Sequence, residues 1–210
     1  MAINNASVRT SEVSKERVSE LFVQTQGAMV LTGAGFGWLM SGLSAAGDIP
    51  LFLLLAVLGA AALLLGGGWA ARRLAPGIAE PPWTPRVGRG FWLAFGAETA
   101  AISLIVAVAL LLHCPHWIPP FVALAVGLHF FPLATLFQRP LYYVTGAALC
   151  LVCLGTIFFM PPQWGMRHMQ GWQLSAGLGA GVVLWLSALA MLIQSAQGLR
   201  KFKRTLLLMQ

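Results

Sequence analysis

Charge is what this chain has least of. Charged residues make up 9% of its 210 positions, and only six of those are Asp or Glu. A soluble domain carries about 25%. With 58% hydrophobic residues and a mean hydropathy of +0.78, the polar surface is too small to cover a water-facing globule, so lipid must solvate much of the chain. Cysteine is scarce as well. Three cysteines make no disulfide framework, and Cys150 and Cys153 fall inside one apolar run, where a pair of small thiols is a better reading than a redox motif. The apolar runs show no alternation, which excludes a β-barrel. The first 26 residues are polar and lack a hydrophobic core segment, so they are not read as a cleavable signal peptide. No nucleotide-binding motif is present. The net charge of +7 calls for no nucleic acid, because its basic residues sit beside apolar runs, where anionic headgroups attract them.

Six runs are long enough to cross a bilayer, at about 20 residues each: Gly27–Gly47, Pro50–Ala71, Phe91–His113, Ile118–Leu136, Leu141–Met160 and Trp172–Ile193. Pro50, Pro119 and Pro140 stand at helix starts, where a missing N–H does no harm. Trp69, Trp92, Trp117, Trp164 and Trp172 fall near run ends, as an interfacial aromatic belt does. The expected architecture is an all-α integral membrane bundle of six transmembrane helices. Residues 1–26 form a polar N-terminal segment with a short surface helix marked by Val18, Leu21 and Phe22; residues 27–194 form the bundle; residues 195–210 form a basic cytoplasmic tail. The PPWTP segment, Pro81–Pro85, reads as an extended connector. All basic residues but one fall on one side of these spans, Arg167 alone on the other. That asymmetry puts both termini in the cytoplasm. Gly33/Gly37 and Gly177/Gly181 are small-xxx-small pairs suited to close helix packing, at depths that do not bring the two pairs face to face.

Two acid/base side chains lie well inside these spans. Glu98 is seven residues from the cytoplasmic end of the third span and His129 seven from that of the fourth, so each is roughly 10 Å deep. Matching depth on consecutive antiparallel helices makes them partners, since an isolated charge in lipid is costly. Ala94, Ala97 and Ala101 share the Glu98 face, which suits close contact with another helix. Pro132 lies three residues beyond His129 and leaves the carbonyl of Leu128 without its helical donor. Tyr142, Tyr143 and Thr145 begin the fifth span at a nearby level after a tight FQRP turn, which suggests one inner polar cluster binding a ligand or a proton.

The other face is enriched in His113, Cys114, His116, Met160, Met166, His168 and Met169. Sulfur with imidazole suits Cu(I) or zinc, but no segment has a regular metal spacing, and no metal or other cofactor is expected. A haem site needs facing histidines at one depth, and a diiron site needs more His and carboxylates than the spans hold. Ser41 and Ser44 have no histidine at a matching level, which leaves a serine hydrolase unsupported. Chemistry by an enzyme is therefore not expected.

Gly127-Leu-His-Phe-Phe-Pro132, followed by Tyr142-Tyr143 and Gly146, resembles a pattern in small bacterial multi-span membrane proteins assigned to a domain of unknown function. The resemblance runs from Gln24 to about Met160. It implies a bacterial inner-membrane protein and no particular activity. Three functions stand open: a small solute or proton-linked transporter using Glu98 and His129; a non-catalytic membrane subunit or assembly partner, homo-oligomeric or not, in which that pair is structural; and a metal-handling protein using the far loops. Arg200, Lys201, Lys203 and Arg204 are expected to meet anionic lipid.

Overall fold

A computed structural model describes residues 2–46, 50–74, 85–161, 163–164 and 169–208, with side chains over 21–45, 57–69, 87–161 and 171–201. Six helices make up nearly all of it: α1 Ala2–Ala46, α2 Pro50–Leu74, α3 Pro85–Leu111, α4 Ile118–Phe137, α5 Pro140–Phe159 and α6 Gly171–Leu208. A 3₁₀ turn, Pro115–Trp117, leads into α4. Between α5 and α6, β1 (Gln163–Trp164) pairs antiparallel with β2 (Met169–Gln170), a two-residue ladder that an all-α expectation did not include. Five segments are long and apolar enough to cross a membrane: Leu21–Ala45, Val87–Leu111, Pro115–Phe137, Pro140–Phe159 and Gly171–Lys201; the apolar part described in α2 is the shorter Val57–Trp69.

The expectation at the N-terminal end needs correction. No separate surface helix precedes the first span, because α1 is unbroken from Ala2 to Ala46. No proline occurs in it and no glycine before Gly27, so nothing interrupts its hydrogen-bond ladder. At 1.5 Å per residue its 45 residues reach about 68 Å, more than twice a hydrocarbon core. The basic segment after residue 194 continues α6 as helix to Leu208. The PPWTP connector lies outside the described residues except for Pro85, which opens α3.

α1 and α6 form the spine as an antiparallel pair. A Cβ on Gly42 would lie 2.9 Å from the Leu178 amide, and one on Gly35 would lie 3.1 Å from the carbonyl of Gly181. Farther along, Gln24 donates to Gln194 at 2.8 Å, and Leu21 covers Gly198. The contact thus uses Gly35 and Gly42 against Gly177 and Gly181, whereas Gly33 and Gly37 face away with open space around them. The facing row of α6, Ala176, Ala180, Leu184 and Ala188, is fully buried at four-residue spacing, the stripe that stacks on one face of a helix. Ala180, Leu184 and Ala188 of this row meet Ala28 and Leu31 of α1, Phe130 and Ala134 of α4, and Tyr142 and Leu149 of α5 in one core.

Trp185 of α6 closes the third side. Its ring fills the space left by Gly35 on α1 and Gly59 on α2, and its indole N–H donates to the Thr32 carbonyl at 3.2 Å. α4 and α5 meet where Gly127 faces Gly146; a Cβ on Gly146 would stand 2.7 Å from the Gly127 carbonyl. The turn between them is short because Gln138 takes a left-handed conformation (φ 52°) and Arg139, held extended by the following Pro140, leads directly into α5. α3 stops the same way: His113 is left-handed (φ 54°), and the Cys114 amide reaches back to the Ala109 carbonyl at 2.8 Å.

α3 packs chiefly on α4. Only 6% of its apolar window is buried, against 44% for α6, so α6 is the central helix and α3 the peripheral one. Packing of Gly67 on Met29 and Leu192, and of Gly90 on Leu136, brings Arg89, Arg139, Arg200 and Lys201 to one end of the bundle, called the basic end below. Trp69 and Trp92 lie exposed toward this end. At the opposite end Trp117 and Trp172 meet edge-to-face with ring centroids 4.7 Å apart, and Trp172 donates to the Met160 carbonyl at 2.7 Å. Two aromatic belts on a helical bundle suit a membrane protein.

Candidate functional site

Small side chains create the site. Where α3 and α4 cross, Ala94, Ala97 and Ala101 on one helix face Ala125 and Leu128 on the other, leaving a cavity of about 390 Å³ between them. Glu98 and His129 project into it, and Pro132 closes one side. Their side chains are only 15% and 10% exposed, and His129 Nε2 lies 3.5 Å from Glu98 Oε2. The other ring nitrogen, Nδ1, is 3.2 Å from the Ala94 carbonyl oxygen.

That second contact selects which ring nitrogen faces Glu98. A carbonyl only accepts, so Nδ1 must carry a hydrogen and Nε2 is the nitrogen turned to the carboxyl group. If Nε2 also carries a hydrogen, His129 is a cation facing a Glu98 carboxylate. If it does not, Nε2 can only accept, and it bonds to Glu98 only when the carboxyl group is protonated. Both arrangements hold the same total charge and differ in the position of one proton. Ala94 is also the residue four before Glu98, so one turn of α3 supplies both partners of the imidazole.

Two further pockets border the cavity along the α3–α4 seam. Toward the basic end it adjoins a space of about 580 Å³ that shares Ala94 and Pro132 with it and is lined further by Val87, Gly90, Thr135 and Gln138. Toward the other end it adjoins an apolar pocket of about 440 Å³, with Ile105 and Phe121 common to both and Leu104, Val108 and Trp117 beyond.

The remaining residues of the expected inner cluster are elsewhere. α5 lies against the opposite face of α4 from α3, so Tyr142 turns into the core between Phe130 and Phe137, with ring centroids 5.8 and 5.9 Å away. Thr145 shares a 2.7 Å hydrogen bond with Ser187 of α6. Tyr143 is exposed beside Phe131. The single inner cluster is therefore two: a Glu98–His129 pair in the α3–α4 cleft, and a Thr145–Ser187 clasp in the core. A shared level on neighbouring helices did not imply a shared face. Pro132 does flank His129 in the cleft, and its own carbonyl accepts from Thr135 Oγ1 at 2.8 Å.

At the opposite end, the His116 ring lies tilted beside Trp117 and Trp172, Cys114 donates to the Leu112 carbonyl at 3.3 Å, and His113 is the helix-terminating residue described above. Met166 and His168 lie outside the described residues, as does the Met169 side chain. Among the described residues no three His, Cys, Asp or Glu side chains converge on a common point. What the sequence reading missed is the cleft itself and the Trp185 wedge; the clusters of alanine at 94, 97 and 101 and of glycine at 35 and 59 were the available signals.

No curated protein and no solved structure matches this chain. The match to a family model begins and ends later than the expected Gln24–Met160, omitting α1 and α2 and reaching well into α6. Residues 90–193, which contain both walls of the cleft and the Glu98–His129 pair, are similar to a family of unknown function (DUF7010).

Proposed function

We propose that this chain is a small membrane transporter, proton-linked through Glu98 and His129, whose substrate path is the seam between α3 and α4. The observation that carries the reading is the location of the pair: it lines a cavity, bordered toward the basic end by a second space that shares Ala94 and Pro132 with it, instead of being sealed between close-packed helices. Intramembrane ionisable residues facing a cavity mark ion and proton paths more often than packing alone explains. In the same reading α2 is a sixth span, both termini are cytoplasmic, the membrane is a bacterial inner membrane, and Arg200, Lys201, Lys203 and Arg204 rest on its anionic inner leaflet.

The rival is a non-catalytic subunit in which the pair is a clamp. The exposure of α3 favours it, since a partner helix laid over α3 would close the cleft. Thiol labelling separates the two. In a variant with Cys114, Cys150 and Cys153 replaced by Ser, Ala97→Cys should react with a water-soluble maleimide added on the basic side of membrane vesicles, while Ala180→Cys in the core should not. An unreactive Ala97→Cys supports the clamp.

A further inference from the structure

The seam changes character along its length. Thr135 and Gln138 give it polar atoms at the basic end, Glu98 and His129 stand midway, and from Ile105 onward its walls are aliphatic and aromatic, ending at Trp117 and Phe121. The described lining includes no Lys or Arg. A carboxyl group midway along such a cleft favours positive charge, apolar walls favour a hydrophobic body, and aromatic rings accommodate either. A hydrophobic anion would meet the carboxylate with no Lys or Arg in the described lining to offset it.

We infer that the α3–α4 cleft binds a hydrophobic organic cation, such as a bulky amine or onium ion, in exchange for the proton held by Glu98 and His129. This rests on the transporter reading and specifies its substrate class. The exchange balances. The cation takes the place opposite the Glu98 carboxylate, and one proton leaves for water at the basic end, from Nε2 of His129 or from the carboxyl group, whichever held it. His129 remains neutral with its Nδ1 hydrogen on the Ala94 carbonyl. The titratable groups facing this exchange are Glu98 from α3 and His129 from α4, with Cys114 at the far end of the seam; α5 and α6 lie on the other face of α4 and add none to the described lining.

The test uses the full chain in zwitterionic nanodiscs and two ions of one shape and opposite charge, tetraphenylphosphonium and tetraphenylborate. The cation should bind at least about tenfold tighter than the anion, and about one proton should appear in weakly buffered solution per cation bound. Because proton and cation compete, the Kd should weaken as pH falls, approaching about tenfold per pH unit where the pair is protonated. Glu98→Gln should lose at least about tenfold in cation affinity. Ala101→Leu, which fills the cleft and leaves the pair in place, should lose affinity as well, with an unchanged melting profile showing that its fold survives. Equal binding of both ions, binding without proton release, or no binding overturns the inference. If Ala97→Cys still reacts with the maleimide in that case, the transporter reading stands without this substrate class; if it does not react, the transporter reading itself has failed.

Discussion

The imidazole of His129 is tied at both nitrogens to one turn of α3, through the Ala94 carbonyl at 3.2 Å and the Glu98 carboxyl oxygen at 3.5 Å. Removing Glu98 leaves the ring one contact, and removing His129 leaves a carboxyl group in an apolar cleft. We expect Glu98→Gln and His129→Ala each to cost about 1–3 kcal/mol, the range for stranding a buried polar group. The double variant should cost less than the sum, with a coupling energy of at least about 0.5 kcal/mol. Chemical unfolding of the four proteins in one detergent measures this; strict additivity would mean that the pair is not an energetic unit.

Helix packing gives a second prediction, because the glycines of α1 and α2 are not equivalent. Gly35 and Gly59 leave the space that the Trp185 ring occupies, while a Cβ on Gly33 or Gly37 meets nothing within 4 Å. Gly59→Leu should displace the indole and cost about 1–3 kcal/mol, as overfilled cores do. Gly33→Ala should be neutral or slightly stabilising, since alanine is the better helix residue. Melting temperatures compare the two. Equal effects would mean that the wedge contributes little.

Much of this arrangement was legible from one chain. Prolines 119 and 140 marked helix starts, and the matching depths of Glu98 and His129 followed from counting along two apolar runs, because helical rise is constant. What could not be read was lateral position. Whether α5 lies on the Glu98 side of α4 or the opposite side depends on how Gly127 meets Gly146, a non-local fit with no periodic signature, and that choice carried Tyr142, Tyr143 and Thr145 away from the pair. The seat of Trp185 likewise needs two glycines on two other helices. The cleft is harder still, since a row of alanines reads equally well as close packing or as room left open.

Topology provides a third prediction. If both termini are cytoplasmic, a tag placed after Gln210 should be protected in intact cells, and Cys114 at the opposite end should react with an impermeant thiol reagent. Replacing Arg200, Lys201, Lys203 and Arg204 with Gln should weaken association of the basic end with anionic bilayers by about 1 kcal/mol per side chain. Flow-linear dichroism or vesicle co-sedimentation of the isolated segment against neutral and anionic lipid provides the comparison. A tag detected from outside contradicts the orientation.

Water must reach the pair if it exchanges protons with solution. The most direct measurement is the infrared absorption of the Glu98 carboxyl group, identified as the band that differs between the native chain and Glu98→Gln, in lipid, before and after transfer to D₂O. A hydrated cleft predicts that this band titrates with bulk pH and that its protonated form shifts to the deuterated position within the mixing time. A band that ignores bulk pH and keeps its hydrogen for hours would mean a dry clamp and would contradict transport through this seam.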